Sequence, residues 1–263
     1  MTTDSAPRSH ETHVADQFGP QAAAYVASAV HAAGEDLAEI AARMRAEPAG
    51  DVLDLGSGGG HVAFAVAEAA RRVTAYDLSA DMLGAVAAEA RRRGLVNIET
   101  RRGAAESLPF GDASFDAVLT RFSAHHWADV PAALAEARRV VRPGGRLIVA
   151  DLIAPEAPIL DTHLQAVELL RDPSHARDYT ASEWGAMLRA AGFDAEPPVL
   201  RRLRLDFASW IARMRTPATH VAAIRSLQAG ASEAVRRHFA IEPDGTFTAD
   251  TMTVSARAGA PGR

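Results

Sequence analysis

The chain has 263 residues, 48% of them hydrophobic, enough to bury one sizeable core. A net charge of −5 at pH 7 argues against a protein built to wrap nucleic acid. Cysteine and lysine are both absent, which excludes disulfides, thiolate metal sites, a cysteine nucleophile, a Walker lysine and a Schiff-base lysine.

Residues 1–16 read as a polar tail and residues 17–263 as a single domain. The tail carries no apolar signal core, and no run approaches the ~18 apolar residues of a membrane span. The expectation is therefore a cytoplasmic protein, monomer or homodimer, with no nucleic-acid partner. After Gln17-Phe-Gly-Pro-Gln-Ala-Ala-Ala-Tyr25, a helical pattern covers about residues 34–47. Strands and helices then alternate: strand 51–55, helix 61–70, strand 73–77, helix 80–93, strands 97–102 and 115–120, helix 130–140, strand 146–151. Ser79 is placed to cap the helix that follows it. Apolar runs such as Ala117-Val-Leu119 and Leu147-Ile-Val-Ala150 suit strands buried on both faces. The alternation predicts an α/β fold with a doubly wound parallel sheet.

Beyond Ala154 the pattern changes. Helices are expected over 159–170 and 181–191, the second capped by Thr180 or Ser182. A strand runs from Pro197-Pro198 to Leu205. Helices follow over 207–215, 218–228 and 232–239, and a last strand over 246–256. Segments 155–192 and 207–241 read as a helical lid over the carboxyl ends of the strands, where open α/β sheets bind ligands.

The stretch Asp51-Val-Leu-Asp-Leu-Gly-Ser-Gly-Gly-Gly60 carries the chemistry. It is a buried strand running into a glycine turn and a helix start, with free N–H groups and close backbone approach. Asp77 ends the next strand, 21 positions after Gly56. The dinucleotide fingerprint needs a third glycine where this chain has His61. An acidic residue before the glycines, Asp54, instead suits the cationic aminoacid end of S-adenosylmethionine (SAM). Asp77 is spaced to accept both ribose hydroxyls.

Further landmarks follow in order: Ala75-Tyr-Asp-Leu-Ser79, Gly103-Ala-Ala-Glu-Ser-Leu-Pro-Phe110, Ser114-Phe-Asp-Ala-Val118 and Arg142-Pro-Gly-Gly-Arg146. Together with Val52–Gly60 they resemble the class I SAM-dependent methyltransferases. The chain is most similar to the small-molecule group that includes ubiquinone/menaquinone-biosynthesis methyltransferases. The resemblance implies a seven-stranded Rossmann-like sheet of order 3-2-1-4-5-7-6, with the last strand antiparallel. It implies that Gly56, Ser57, Gly58 and Gly60 cradle SAM, with Leu78 and Met82 flanking ribose and adenine. Ala105 and Glu106 fall at the adenine edge, and Arg121 ends the fourth strand. Tyr25 and Phe18 close over the methionine end.

Arg121-Phe-Ser-Ala-His-His-Trp127 starts at the sheet edge beside the expected sulfonium. His125 and His126 are the candidate bases, with His126 favoured. No third ligand accompanies them at clear spacing, so no metal is expected. From the lid, Trp184, Trp210 and Arg213 are candidate substrate contacts, joined by Phe18. The absent cysteine argues against methylation at pyrimidine C5 and of arsenite. Thr120-Arg-Phe-Ser123 lacks the Asn/Asp-Pro-Pro-aromatic stretch of base N-methylation. O- or C-methylation of a small molecule, quinone-like or aromatic, is the resulting expectation. The alternatives are a SAM-binding protein without methyl transfer, cyclase-like or regulatory, and a nicotinamide oxidoreductase.

Overall fold

The computed structural model describes residues 9–19 and 34–259. Its order is α1 (His10–Phe18), α2 (Glu35–Ala46), β1 (Ala49–Leu55), α3 (His61–Val66), β2 (Ala70–Asp77), α4 (Ala80–Arg92), β3 (Ile98–Arg102), β4 (Phe115–Arg121), α5 (Val130–Val140) and β5 (Val141–Ile153). There follow α6 (Pro158–Arg171), α7 (Ala181–Ala190), β6 (Phe193–Ala195), β7 (Val199–Leu205), α8 (Phe207–Met214), α9 (Ala218–Ala229), α10 (Glu233–Phe239) and β8 (Phe247–Ala258). Residues 10–16, expected within a polar tail, are helical from His10 on, with Ser9 capping the turn.

The sheet runs β3-β2-β1-β4-β5-β8-β6, with β7 also paired to β8. Strands β1 to β5 are parallel, and β8 is inserted antiparallel between β5 and β6. This is the expected order, with the edge strand split in two. The register against β8 steps by one residue between β6 and β7. Pro197 and Pro198 lie at that step, and neither can donate to the ladder. Strand β2 begins earlier than expected, at Ala70, because Arg71 and Arg72 both reach back to the buried Asp51 on β1 (2.6 and 3.0 Å). That pairing holds Arg71 and Arg72, expected between helix and strand, in the sheet together with Ala70, expected at the helix end.

Alternating residues on each strand feed two cores, as a period of two requires. Val52, Val73, Ala117, Leu119 and Ile148 pack on one face with Leu37, Ile40 and Met44 of α2, Val62 and Phe64 of α3, and Val86 of α4. Leu53, Tyr76, Val118, Leu147 and Val149 pack on the other with Leu134 of α5 and with Trp184 and Leu188 of α7. Helix α7 therefore belongs to the sheet's second face. Only part of segment 155–192 joins the lid. The lid has its own small core of Leu164 and Val167 from α6, Phe207 and Trp210 from α8, Ile224 from α9 and Phe239 from α10.

Cap residues set several starts. Ser79 accepts from Met82 N–H (3.3 Å), and Asp129 from Ala132 N–H (2.9 Å). Thr180, not Ser182, caps α7 in a reciprocal pair with Glu183. Among the described residues, no helix is long and apolar enough to cross a membrane.

Trp184, expected at the substrate, is instead 2% exposed and wholly within the sheet core, edge-on to Tyr179. Trp184→Ala is expected to lower stability by about 3–5 kcal/mol. Urea unfolding checks this, and calorimetry on the folded variant should find ligand affinity unchanged.

Candidate active site

The glycine turn is held by the end of β2. The Tyr76 carbonyl accepts the N–H groups of Gly56 (2.8 Å) and Ser57 (3.0 Å). The Asp77 carboxylate accepts Gly58 N–H on one oxygen (2.8 Å) and Ser79 N–H on the other (2.9 Å). Gly56 and Gly58 have φ of 70° and 47°, where a side chain is strained. A Cβ on Gly56 would lie 1.8 Å from Ser123 Oγ, whereas one on Gly58 would meet nothing within 4 Å. Gly60 differs. A Cβ there would lie 2.9 Å from both Val86 methyls and 3.1 Å from Phe64, and the residue does not line the cavity. Its glycine serves helix packing, which corrects the expectation that it touches a ligand.

One continuous cavity runs along the carboxyl edge of β1, β2 and β4. Asp54, Gly56, Ser57, Gly58, Asp77, Leu78, Met82, Ala105, Glu106 and Arg121 line it together. His125, His126, Phe18, Trp210 and Arg213 line it further along, with His10 and Val14 of α1 and Leu203 and Leu205 of β7. Tyr25 lies outside the described residues.

The acidic groups at the first end are held from behind. Asp54 is buried, and one of its oxygens accepts Ala63 N–H (3.0 Å), capping α3 across the glycine turn. Burial, with some repulsion from Asp77, pushes its carboxyl up to about 7, against the pull of Ala63 N–H and Arg121. Burial likewise raises Asp77. Arg121 is clamped on Asp36 of α2 through two nitrogens, both side chains nearly buried. Glu106 accepts the N–H groups of Ala128 (2.9 Å) and Asp129 (3.3 Å), so it staples the loop before α5.

At the second end the two histidines are driven apart. His125 Nδ1 lies 2.6 Å from Asp151 Oδ1, and Ala124 N–H holds the other oxygen (2.9 Å). Burial lowers the His125 pKa, but Asp151, with Asp178 and Glu168, overrides it and raises the imidazole to about 9. His126 sits 4.2 Å away, ring to ring, with Phe18 edge-on at 5.0 Å. Burial, reinforced by the charge on His125, lowers it to about 3. His126 Nδ1 is 3.1 Å from the Ser174 carbonyl, so its proton belongs on Nδ1 and Nε2 keeps the lone pair. His10 Nε2 bonds the His126 carbonyl (2.8 Å), tying α1 across this end. Among the described residues, no group of three or more His, Cys, Asp or Glu side chains could hold a metal.

Residues 53–149 match the model of a methyltransferase domain. The chain is 36% identical to the uncharacterised methyltransferase YcgJ of Bacillus subtilis over 224 residues, covering 85% of this chain and 88% of YcgJ. The chain belongs to the class I SAM-dependent methyltransferase family. The crystal structure of B. subtilis YcgJ superposes on this methyltransferase with a TM-score of 0.81, over 86% of this chain and 99% of YcgJ, at 32% identity. The uncharacterised protein YafE of Escherichia coli K12 is 50% identical to it over 197 residues, covering 75% of this chain and 95% of YafE. The UbiE C-methyltransferase of ubiquinone/menaquinone biosynthesis from Rhizobium leguminosarum is 33% identical, over 62% of this chain and 72% of its own.

The methyltransferase's first cavity end fits SAM on two observations. Ser57 Oγ is buried without a hydrogen-bond partner, and the space over Gly58 is open. Both adjoin the Asp77 carboxylate. Asp36 and Glu168, also on the cavity wall, were missed by motif reading. Glu168 had a signal: it shares the 164, 167, 168, 171 face of α6 with two buried apolar residues.

The His125 imidazole should titrate near pH 9 by NMR, and Asp151→Asn should bring it below 7. Because the folded pKa is raised, this pair's contribution to stability is complete below the unfolded value of about 6.5. It is lost as pH rises through about 9. Thermal unfolding from pH 6 to 10 should show that loss in the native protein and not in Asp151→Asn.

Proposed function

We propose that the protein transfers the methyl group of SAM to a small-molecule acceptor, aromatic or quinone-like, by O- or C-methylation. One observation carries this reading: the Ser57–Gly58–Asp77 cradle opens directly into an apolar-walled end bearing two histidines. SAM would supply an electrophilic methyl on a cationic sulfur. Asp77 would hold the ribose hydroxyls. Asp54, ionised when a cation approaches, would face the aminoacid end.

The chain's part in the transfer is alignment and handling of one proton. Phe18, Leu205, Trp210 and Met214 exclude water around the acceptor. For transfer to oxygen or carbon, the acceptor would have to lose one proton. His126 Nε2, with its lone pair free of the Ser174 contact, would receive it; because the imidazole is lowered to about 3, that transfer would follow methylation, when the acceptor is most acidic. His125, held cationic by Asp151, would stabilise negative charge on the acceptor beside it. The two rings thus divide the acid and base roles. The names of the UbiE relatives support a quinone-like acceptor.

Asp77→Ala and Gly58→Val are each expected to weaken SAM binding at least ~10-fold in calorimetry, the scale of one charge-assisted hydrogen bond. Unchanged affinity in both rejects the cradle. Incubation with methyl-labelled SAM and a metabolite extract should yield S-adenosylhomocysteine together with a labelled acceptor. SAM binding without either product would favour the non-transferase alternative. On the acceptor so found, His126→Ala should lower turnover by ~100-fold while leaving SAM affinity intact.

A further inference from the structure

Glu168 is a carboxylate in an unusual place. It sits on the buried face of α6 with Leu164 and Val167, is 4% exposed, and lines the acceptor end of the cavity. Its Oε2 lies 3.5 Å from Arg171, but its Oε1 is buried with no hydrogen-bond partner. A native structure rarely leaves a buried carboxylate oxygen unpaired, because desolvation is then uncompensated. Burial raises the Glu168 carboxyl, while Arg171 and His125 pull it back down.

We propose that Glu168 is the polar anchor of the methyl acceptor: its Oε1 accepts a hydrogen bond from an O–H or N–H of a neutral, largely apolar molecule. This rests on the methyl-transfer reading, since it concerns the acceptor end of the same cavity. The surrounding wall supplies the apolar part: Phe18, Leu203, Leu205, Trp210 and Met214. An acceptor carboxylate is disfavoured beside Glu168, although His125 and Arg213 line the same end and 1-naphthoate tests that case. Such a carboxylate would face Glu168 itself, with the buried carboxyls of Asp172, Asp178 and Asp151 behind. The nearby Arg171 is already engaged: it pairs with Glu168, donates to the Trp210 carbonyl (3.2 Å) and stacks over the Trp210 ring (5.0 Å). Specificity then follows from the unpaired oxygen: a ligand without a donor leaves Oε1 as it is, and a ligand with one satisfies it.

Three probes of one shape test this: 1-naphthol, naphthalene and 1-naphthoate, titrated by ligand-observed NMR with and without S-adenosylhomocysteine. The native protein should bind 1-naphthol at least ~10-fold more tightly than either other probe, the scale of a hydrogen bond to a charged group. Glu168→Leu should reduce that preference below ~3-fold while keeping naphthalene binding, which shows the cavity intact. Glu168→Gln, which keeps an accepting oxygen, should retain part of it. Tighter binding of 1-naphthoate, equal binding of naphthol and naphthalene by the native protein, or an unchanged preference in Glu168→Leu would each overturn the proposal. Calorimetry with S-adenosylhomocysteine is read separately. Failure there rejects the cofactor reading, while the naphthol preference still decides the role of Glu168.

Discussion

The site depends on how the last two residues of β2 hold the glycine turn. Four backbone N–H groups, from Gly56, Ser57, Gly58 and Ser79, converge on the Tyr76 carbonyl and the Asp77 carboxylate. These bonds fix the turn and the first turn of α4 relative to one strand end. They therefore place Asp77, Leu78 and Met82 on the cavity wall. The turn packs against the loop after β4, where a Cβ on Gly56 would collide with the Ser123 side chain. A ligand meets a site whose backbone is organised beforehand, so little ordering entropy remains to be lost on binding.

The second constraint is electrostatic. The cavity's far end concentrates buried ionisable groups: Asp151, Glu168, Asp172 and Asp178 alongside His125, His126 and His175. Such groups are tolerated in a low-dielectric setting only when paired or neutralised. The pairing of His125 with Asp151 makes one ring cationic. That charge then keeps His126 neutral, and it helps push His175 down to about 2, second to burial. Adjacent imidazoles in one dipeptide thus carry opposite protonation states, although residue type alone makes them equivalent. The price of this arrangement is the unsatisfied oxygens of Asp172, Asp178 and Glu168. Of these three residues, Glu168 lines the cavity.

The lid is built differently from the sheet. It has its own core, centred on Trp210 and Phe239, and reaches the cavity mainly through α6 and α8, beside Leu203 and Leu205 of the sheet strand β7. Helix α1 crosses over from the other side, with His10 bonded to the His126 carbonyl and Gln17 to the Met214 carbonyl (3.3 Å). The far end of the cavity is therefore walled by segments far apart in the chain, while the other end comes mostly from residues 54–121.

That difference explains how far the sequence could be read. The alternation of strands and helices, the glycine turn, Asp54, Asp77 and the His pair could be located from local periodicity or from a motif within one βα unit, whereas the strand order came from the family resemblance. The split edge strand was half legible: Pro197-Pro198 read as the start of one strand, and the short β6 before it was missed. Trp184 and Gly60 were misjudged for one reason: a large aromatic and a glycine read alike in sequence whether they face a ligand or a neighbouring helix. By itself, the sequence determined the α/β class and the βα units that carry the glycine turn and Asp77, since hydrophobic alternation and local motifs are enough to mark them. Only the tertiary structure decided the far end of the cavity. It brought Glu168 of α6, His125 of the β4 loop and Trp210 of α8 to one wall, and the protonation of Glu168 and His125 depends on neighbours that sequence distance does not reveal.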